Sequence, residues 1–151
     1  MDKETLHFKI GLKGTFDEKA PKFTVGVNGI IYHTGKLTVP NEIEYVEFDA
    51  EFTDGDYYLE ISLLNKVPTD TKKDDNENII GDLLLSIDSI EIDDIELATL
   101  KWSKSLYYPI YPTSYTGDHV DEVKNCVDLG WNGTWKLPFQ VPFYIWLLEN
   151  I

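Results

Sequence analysis

The segment TDTKKDDNENIIGD, residues 69–82, concentrates oxygen side chains more than any other part of the chain: Asp70, Asp74, Asp75, Asn76, Glu77, Asn78 and Asp82. Carboxylates and amides of this kind, on a loop carried by strands, suit a hard cation or a polyhydroxylated ligand. Calcium takes six to eight such oxygens, in mixed sets with backbone carbonyls. Asp74, Asn76 and Asn78 have the spacing that opens an EF-hand loop. Ile79 stands where the turn glycine belongs and Leu85 where the bidentate glutamate belongs, so an EF-hand is excluded. The plain alternative is a solvated hairpin loop whose charge is offset by Lys72 and Lys73.

A second group is aromatic. Tyr107, Tyr111, Tyr115 and Trp131, with Tyr108 and Trp135 nearby, can offer flat faces to the apolar C–H surface of sugar rings. The same residues suit a core cover or a protein interface equally well. His7, His33 and His119 share no metal-ligand spacing and read as structural. No G-x-S-x-G, H-E-x-x-H or P-loop pattern is present. Acidic pairs are too numerous to single out a glycosidase acid and nucleophile. The chain thus points to binding rather than catalysis.

These residues need strands to hold them. Leu6, Phe8, Ile10 and Leu12 alternate with His7, Lys9 and Gly11, which predicts a half-buried strand. Phe23, Val25 and Val27 alternate ahead of Asn28-Gly29, a type I′ turn signal, so residues 22–32 are predicted to form a hairpin. Further strands are predicted over 46–52, 57–63, 83–92 and 95–97, separated by turn residues at Asp54-Gly55-Asp56 and Asp93-Asp94. The fold class is all-β: an antiparallel two-sheet β-sandwich of jelly-roll type. Residues 1–100 are expected to supply the sandwich core. Residues 101–151 read as an irregular, aromatic and Pro-rich arm with strands, packed on the same domain or on a partner. One helical turn is expected within 118–125. Pro138 and Pro142 argue against a regular helix in the last segment. Trp135, Phe139, Phe143 and Trp146 there are candidate interface residues.

Length and charge narrow the partners. The 151 residues fit a single domain. Thirteen basic against 27 acidic residues give a net charge of -14, which repels phosphate backbones and argues against nucleic acid. Cys126 is the single cysteine, which excludes an internal disulfide and a Cys-based zinc site. No secretory signal and no membrane-spanning run is read in the sequence.

The string from Tyr57 to Leu97 resembles the calcium-dependent xylan-binding type of carbohydrate-binding module. That family carries a strand end L-E-I-x-F-x-N-D, a ligand loop, and then D-R-N-L-Y-V-D-S-I-x-V-N-G. Leu59, Glu60, Ile61 and Asn65 fall in the first pattern; Asp82, Leu85, Asp88, Ser89 and Ile90 fall in the second. The resemblance covers about residues 6–97. It implies a β-sandwich binding module in which Asn65, Asp70, Asp74 and Asp82 hold calcium and the ion coordinates sugar hydroxyls. Two positions depart from the pattern. Lys66 stands where the family has Asp, and Leu83-Leu84 where it has Arg-Asn. Similar sandwiches recur on bacteriophage virion proteins, so a virion surface and neighbouring capsid subunits are further expectations. The alternative function is a capsid decoration or accessory subunit that uses the sandwich only as scaffold.

Overall fold

A computed structural model describes residues 3–151. The predicted alternation appears as strands: β1 (Glu4–Thr15), β2 (Lys22–Val27), β3 (Ile30–Lys36), β4 (Glu44–Phe52) and β5 (Gly55–Leu63). Asn28 and Gly29 both take positive φ, 48° and 83°, and close the β2–β3 hairpin as the Asn-Gly signal predicts. A short hairpin follows, β6 (Lys72–Lys73) and β7 (Ile79–Gly81), then β8 (Leu84–Ile92) and β9 (Ile95–Glu96). Asp93 and Asp94 make the β8–β9 turn with φ of 51° and 64°. The last third holds α1 (Leu100–Ser103), β10 (Leu106–Pro109), β11 (Val123–Lys124), β12 (Asp128–Leu129), β13 (Gly133–Val141) and α2 (Phe143–Asn150).

Two antiparallel sheets face each other, as the two-sheet sandwich class requires. One runs β12-β8-β1-β4, with β9 beside β8; the other runs β11-β10-β13-β5-β2-β3. Leu6, Phe8, Ile10 and Leu12 of the first sheet meet Val25, Leu59, Ile61, Trp135 and Leu137 of the second in one core. In β8 the buried set changes parity, from Leu85 and Ile87 to Ile90 and Ile92. The cause is a bulge. Gly11 pairs with Ser89 and Leu12 with Ile87, so Asp88 is left over. One extra residue moves every later side chain to the other face. This accounts for a run that is apolar on both parities.

The C-terminal third departs from expectation. β13 lies between β5 and β10, paired with β5 over its whole length. Trp135, Phe139, Phe143 and Trp146, expected at an interface, are instead in the chain's own core, with Trp135 and Phe143 fully buried. β13 presents Trp135, Leu137, Phe139 and Val141 inward, and two facing sheets leave no solvent on that side. Pro138 is tolerated in this strand because β10 pairs only with Gly133–Lys136, so among the described residues that edge of β13 carries no strand partner beyond Lys136. The helix that the prolines argued against does form. Pro142 is its N-cap residue and precedes the helical backbone, where a missing N–H costs nothing. The helical turn expected within 118–125 is absent; β11 pairs there with Leu106 and Tyr107. Among the described residues, no helix is long and apolar enough to cross a membrane.

Candidate functional site

At one end of the sandwich, the loop leaving β5 meets the arm between β10 and β13. The arm is irregular, but specific bonds fix it. Ile110 N–H donates to Asn132 O at 2.7 Å, and Tyr115 N–H to Pro112 O at 3.0 Å. Asn132 closes the meeting point. Its side chain accepts from Lys66 N–H at 2.7 Å and donates to Lys66 O at 2.9 Å, so the loop and the start of β13 are held as a pair. Neutral amide bonds of this kind each contribute about 1 kcal/mol net, and more where breaking them leaves buried groups unpaired.

Three of the four aromatic residues proposed as ligand-binding come together here. Tyr111 and Tyr115 stack with ring centroids 4.8 Å apart and planes 10° off parallel. Trp131 stands edge-on to Tyr115 at 5.3 Å and to Tyr111 at 6.1 Å. Tyr115 and Trp131 open onto a cleft of about 400 Å³ that also carries Pro68, Thr71, Lys73, Pro112, Ser114 and Thr116. Tyr107, the fourth, does not reach it. Its ring is buried, and its hydroxyl donates to Trp131 O and accepts from Trp131 N–H at 3.1 Å. It positions Trp131 rather than touching a ligand. Aromatic walls with a few hydroxyls and one ammonium suit a small polyhydroxylated molecule, stacked on its C–H face and hydrogen-bonded at its edge.

The four residues proposed to hold calcium are placed differently. Asp74 lies in the β6–β7 turn and accepts from Asn76 N–H at 2.8 Å and Asn78 N–H at 3.0 Å, an Asx turn that keeps its carboxyl below the usual value. Asn65 spends its side chain on the main chain at the entry to β2, accepting from Lys22 N–H at 2.8 Å and donating to Ala20 O of the β1–β2 loop at 2.9 Å. Asp70 pairs with Lys19 at 2.6 Å. Asp82 pairs with Lys66 at 2.8 Å and accepts from Thr71 Oγ1 and Leu83 N–H on the same oxygen. Burial pushes the Asp82 carboxyl up. The hydrogen bonds from Lys66, Thr71 and Leu83 outweigh that and leave it below its ordinary value.

Asp70 and Asp82 share a second cleft, about 270 Å³, with Asp17, Glu18, Lys19 and Lys72. Its donor set does not fit calcium. Among the described residues no three His, Cys, Asp or Glu side chains are grouped to hold an ion, and three of the four acids of the cleft, Asp17, Asp70 and Asp82, already face an ammonium.

Sequence reasoning passed over several residues of this site. Lys66 stood out only as a departure from a family pattern. Asn132, in the sequon Asn132-Gly133-Thr134, carries no other sequence signal, yet its amide is the clamp on Lys66. His119, read as structural, stacks on Tyr111 at 4.8 Å and extends the aromatic wall. No local signal marks Asn132 or Lys66, because each is defined by contact with a distant segment.

No protein-family model matches the chain, and no curated protein matches it by sequence. Two solved structures share its architecture. vCBM60 in complex with galactobiose is 13% identical, with a TM-score of 0.51 over 87% of this chain and 96% of that one. A selenomethionine form of vCBM60, described in connection with a circular permutation linking two families of calcium-dependent carbohydrate binding modules, is 12% identical, with a TM-score of 0.54 over 87% of this chain and 89% of that one. At such identity the likeness concerns architecture alone: this chain has the β-sandwich fold of a carbohydrate-binding module.

Proposed function

We propose that the protein is a non-catalytic carbohydrate-binding module that takes its ligand in the cleft at Trp131 and Tyr115. One observation carries the reading. Three residues of the arm between β10 and β13, Tyr111, Tyr115 and Trp131, assemble a single aromatic wall, on a fold shared with a module solved with galactobiose. Trp131 and Tyr115 form the stacking wall, with Tyr111 behind it. Ser114, Thr116 and Thr71 supply hydroxyls to the ligand edge, and Lys73 a charged donor at the mouth.

Affinity electrophoresis in gels cast with soluble galactans and xylans tests it. The wild-type chain should be retarded by at least one polysaccharide. Trp131→Ala should lower the affinity at least about tenfold, equivalent to about 1.4 kcal/mol. Free migration in every polysaccharide would remove the reading.

A second reading, an accessory subunit of a larger assembly such as a virion, has one observation in its favour. Tyr144, Ile145 and Leu148 on α2 are exposed, with Ile145 at 58% and Leu148 at 75%. Exposed apolar side chains grouped on one helix suit a contact with a neighbouring subunit. Sedimentation equilibrium decides it: a monomer at high concentration removes self-assembly through α2.

A further inference from the structure

Three of the four residues that a calcium site would use already face cations, and those cations are lysines; the fourth, Asp74, lies apart in the β6–β7 turn. Lys19 Nζ lies 2.6 Å from Asp70 Oδ2 and donates to Asn65 O at 2.9 Å. Lys66 Nζ lies 2.8 Å from Asp82 Oδ1, and its side chain is only 3% exposed. An ammonium so deeply buried is costly unless it is paired, and a divalent ion at Asp82 would have to displace it or sit against it. Three of the four proposed calcium ligands are thus gathered around two ammonium groups.

Lys66 also does the mechanical work of a bound ion. Its ammonium reaches Asp82 at the approach to β8 on one side. On the other it lies 4.9 Å from the centre of the Trp131 ring. Its main chain is clamped by Asn132 at the start of β13. One residue therefore joins three segments that meet at the cleft.

We propose that Lys66, supported by Lys19, is the resident cation of this loop, so that the cleft is organised without calcium and recognises a neutral polyhydroxylated ligand by stacking and hydrogen bonding rather than through a metal. The ligand half rests on the carbohydrate-binding reading above; the calcium half does not.

The full chain is unfolded thermally in millimolar calcium chloride and again in EDTA, and calcium chloride is titrated into it calorimetrically. We expect the same Tm in both solutions and no stoichiometric heat. A calcium-dependent rise of several degrees overturns the proposal, since a ligand of the native state must stabilise it. Lys66→Met should lower Tm by several degrees in both solutions, and an unchanged Tm also overturns it. If that variant fails to fold, the wild-type comparison decides alone. Any polysaccharide that retards the chain should do so equally with EDTA; release by EDTA overturns the ligand half. If no polysaccharide binds, the carbohydrate reading fails while the thermal comparison still decides the role of Lys66.

Discussion

Tyr107 holds Trp131 by its main chain on both sides: one hydroxyl donates to the Trp131 carbonyl and accepts from its N–H. The two residues sit on neighbouring antiparallel strands or just beyond them, since Tyr107 of β10 pairs with Trp135 of β13. Burial pushes the phenol well up, opposed in part by the bond to Trp131, so it remains a neutral donor at any ordinary pH. The indole at the cleft is thereby anchored from within the core.

Tyr107→Phe keeps the ring and removes only the hydroxyl. It leaves two main-chain groups of Trp131 without this partner, at a cost of about 1–3 kcal/mol. Thermal unfolding should show a Tm lower by several degrees, and affinity for a retarding polysaccharide should fall with it. An unchanged Tm would show that solvent satisfies these groups and that Trp131 is held by other contacts.

The Lys66–Asp82 pair makes stability depend on pH in a stated direction. The folded-state value of Asp82 is depressed below its ordinary 3.8, so the unfolded chain takes up its proton first as pH falls. The contribution is complete above the unfolded value and is lost as pH drops through the folded one. Asp82→Asn should remove this acid-side slope. It also strands the buried Lys66, so stability at neutral pH should fall by about 3 kcal/mol. Urea unfolding of both proteins across the acid range reads both effects. A variant with wild-type stability at neutral pH would mean that Lys66 finds another partner.

The strands of the first hundred residues were legible because their inward residues repeat every second position. Leu59, Ile61 and Leu63 need only their neighbours to declare a face. The turns at Asn28-Gly29 and Asp93-Asp94 were legible for a similar reason: positive φ has a local residue preference. What sequence could not place is nonlocal. Pro138 argues against a central strand until β10 is seen to stop short of it. Trp135 and Phe139 suit an interface or a core equally until β13 is seen beside β5. At the site, Tyr111, Tyr115 and Trp131 were identifiable by residue type. Lys66 was not, because its role depends on Asp82 and Asn132 arriving from other segments.

On the outer face of the first sheet, His7 stands opposite Asp49 in the β1–β4 register. Its Nδ1 lies 2.6 Å from Asp49 and its Nε2 3.1 Å from Glu47. The hydrogen bond to Asp49, then that to Glu47, raise the imidazole above 6.5. The folded state therefore holds this proton more tightly than the unfolded one. The stabilisation is complete below 6.5 and is lost as pH rises through the folded value. An NMR titration should give a His7 midpoint above 6.5 that falls in Asp49→Asn and at high salt. A midpoint unmoved by Asp49→Asn would show that the pair is not formed in solution.

The position of β13 gives the strongest test of the fold. A chain ending at Gly130 loses the strand between β5 and β10, together with the buried side chains of Trp135, Leu137, Phe139, Val141, Phe143, Trp146 and Leu147. Fully burying one such side chain is worth about 1.5–3 kcal/mol, so the seven together match or exceed the about 5–15 kcal/mol that holds a whole domain folded. The truncated chain should show no cooperative unfolding and a disordered circular dichroism spectrum. Point changes on α2 separate core from surface within the same segment. Leu147 is buried and its neighbour Leu148 is 75% exposed. Leu147→Asp should cost several kcal/mol, while Leu148→Asp should stay within about 0.5 kcal/mol of wild type. Equal effects at the two positions, or a truncated chain that still unfolds cooperatively, would mean that the final segment is not part of this core.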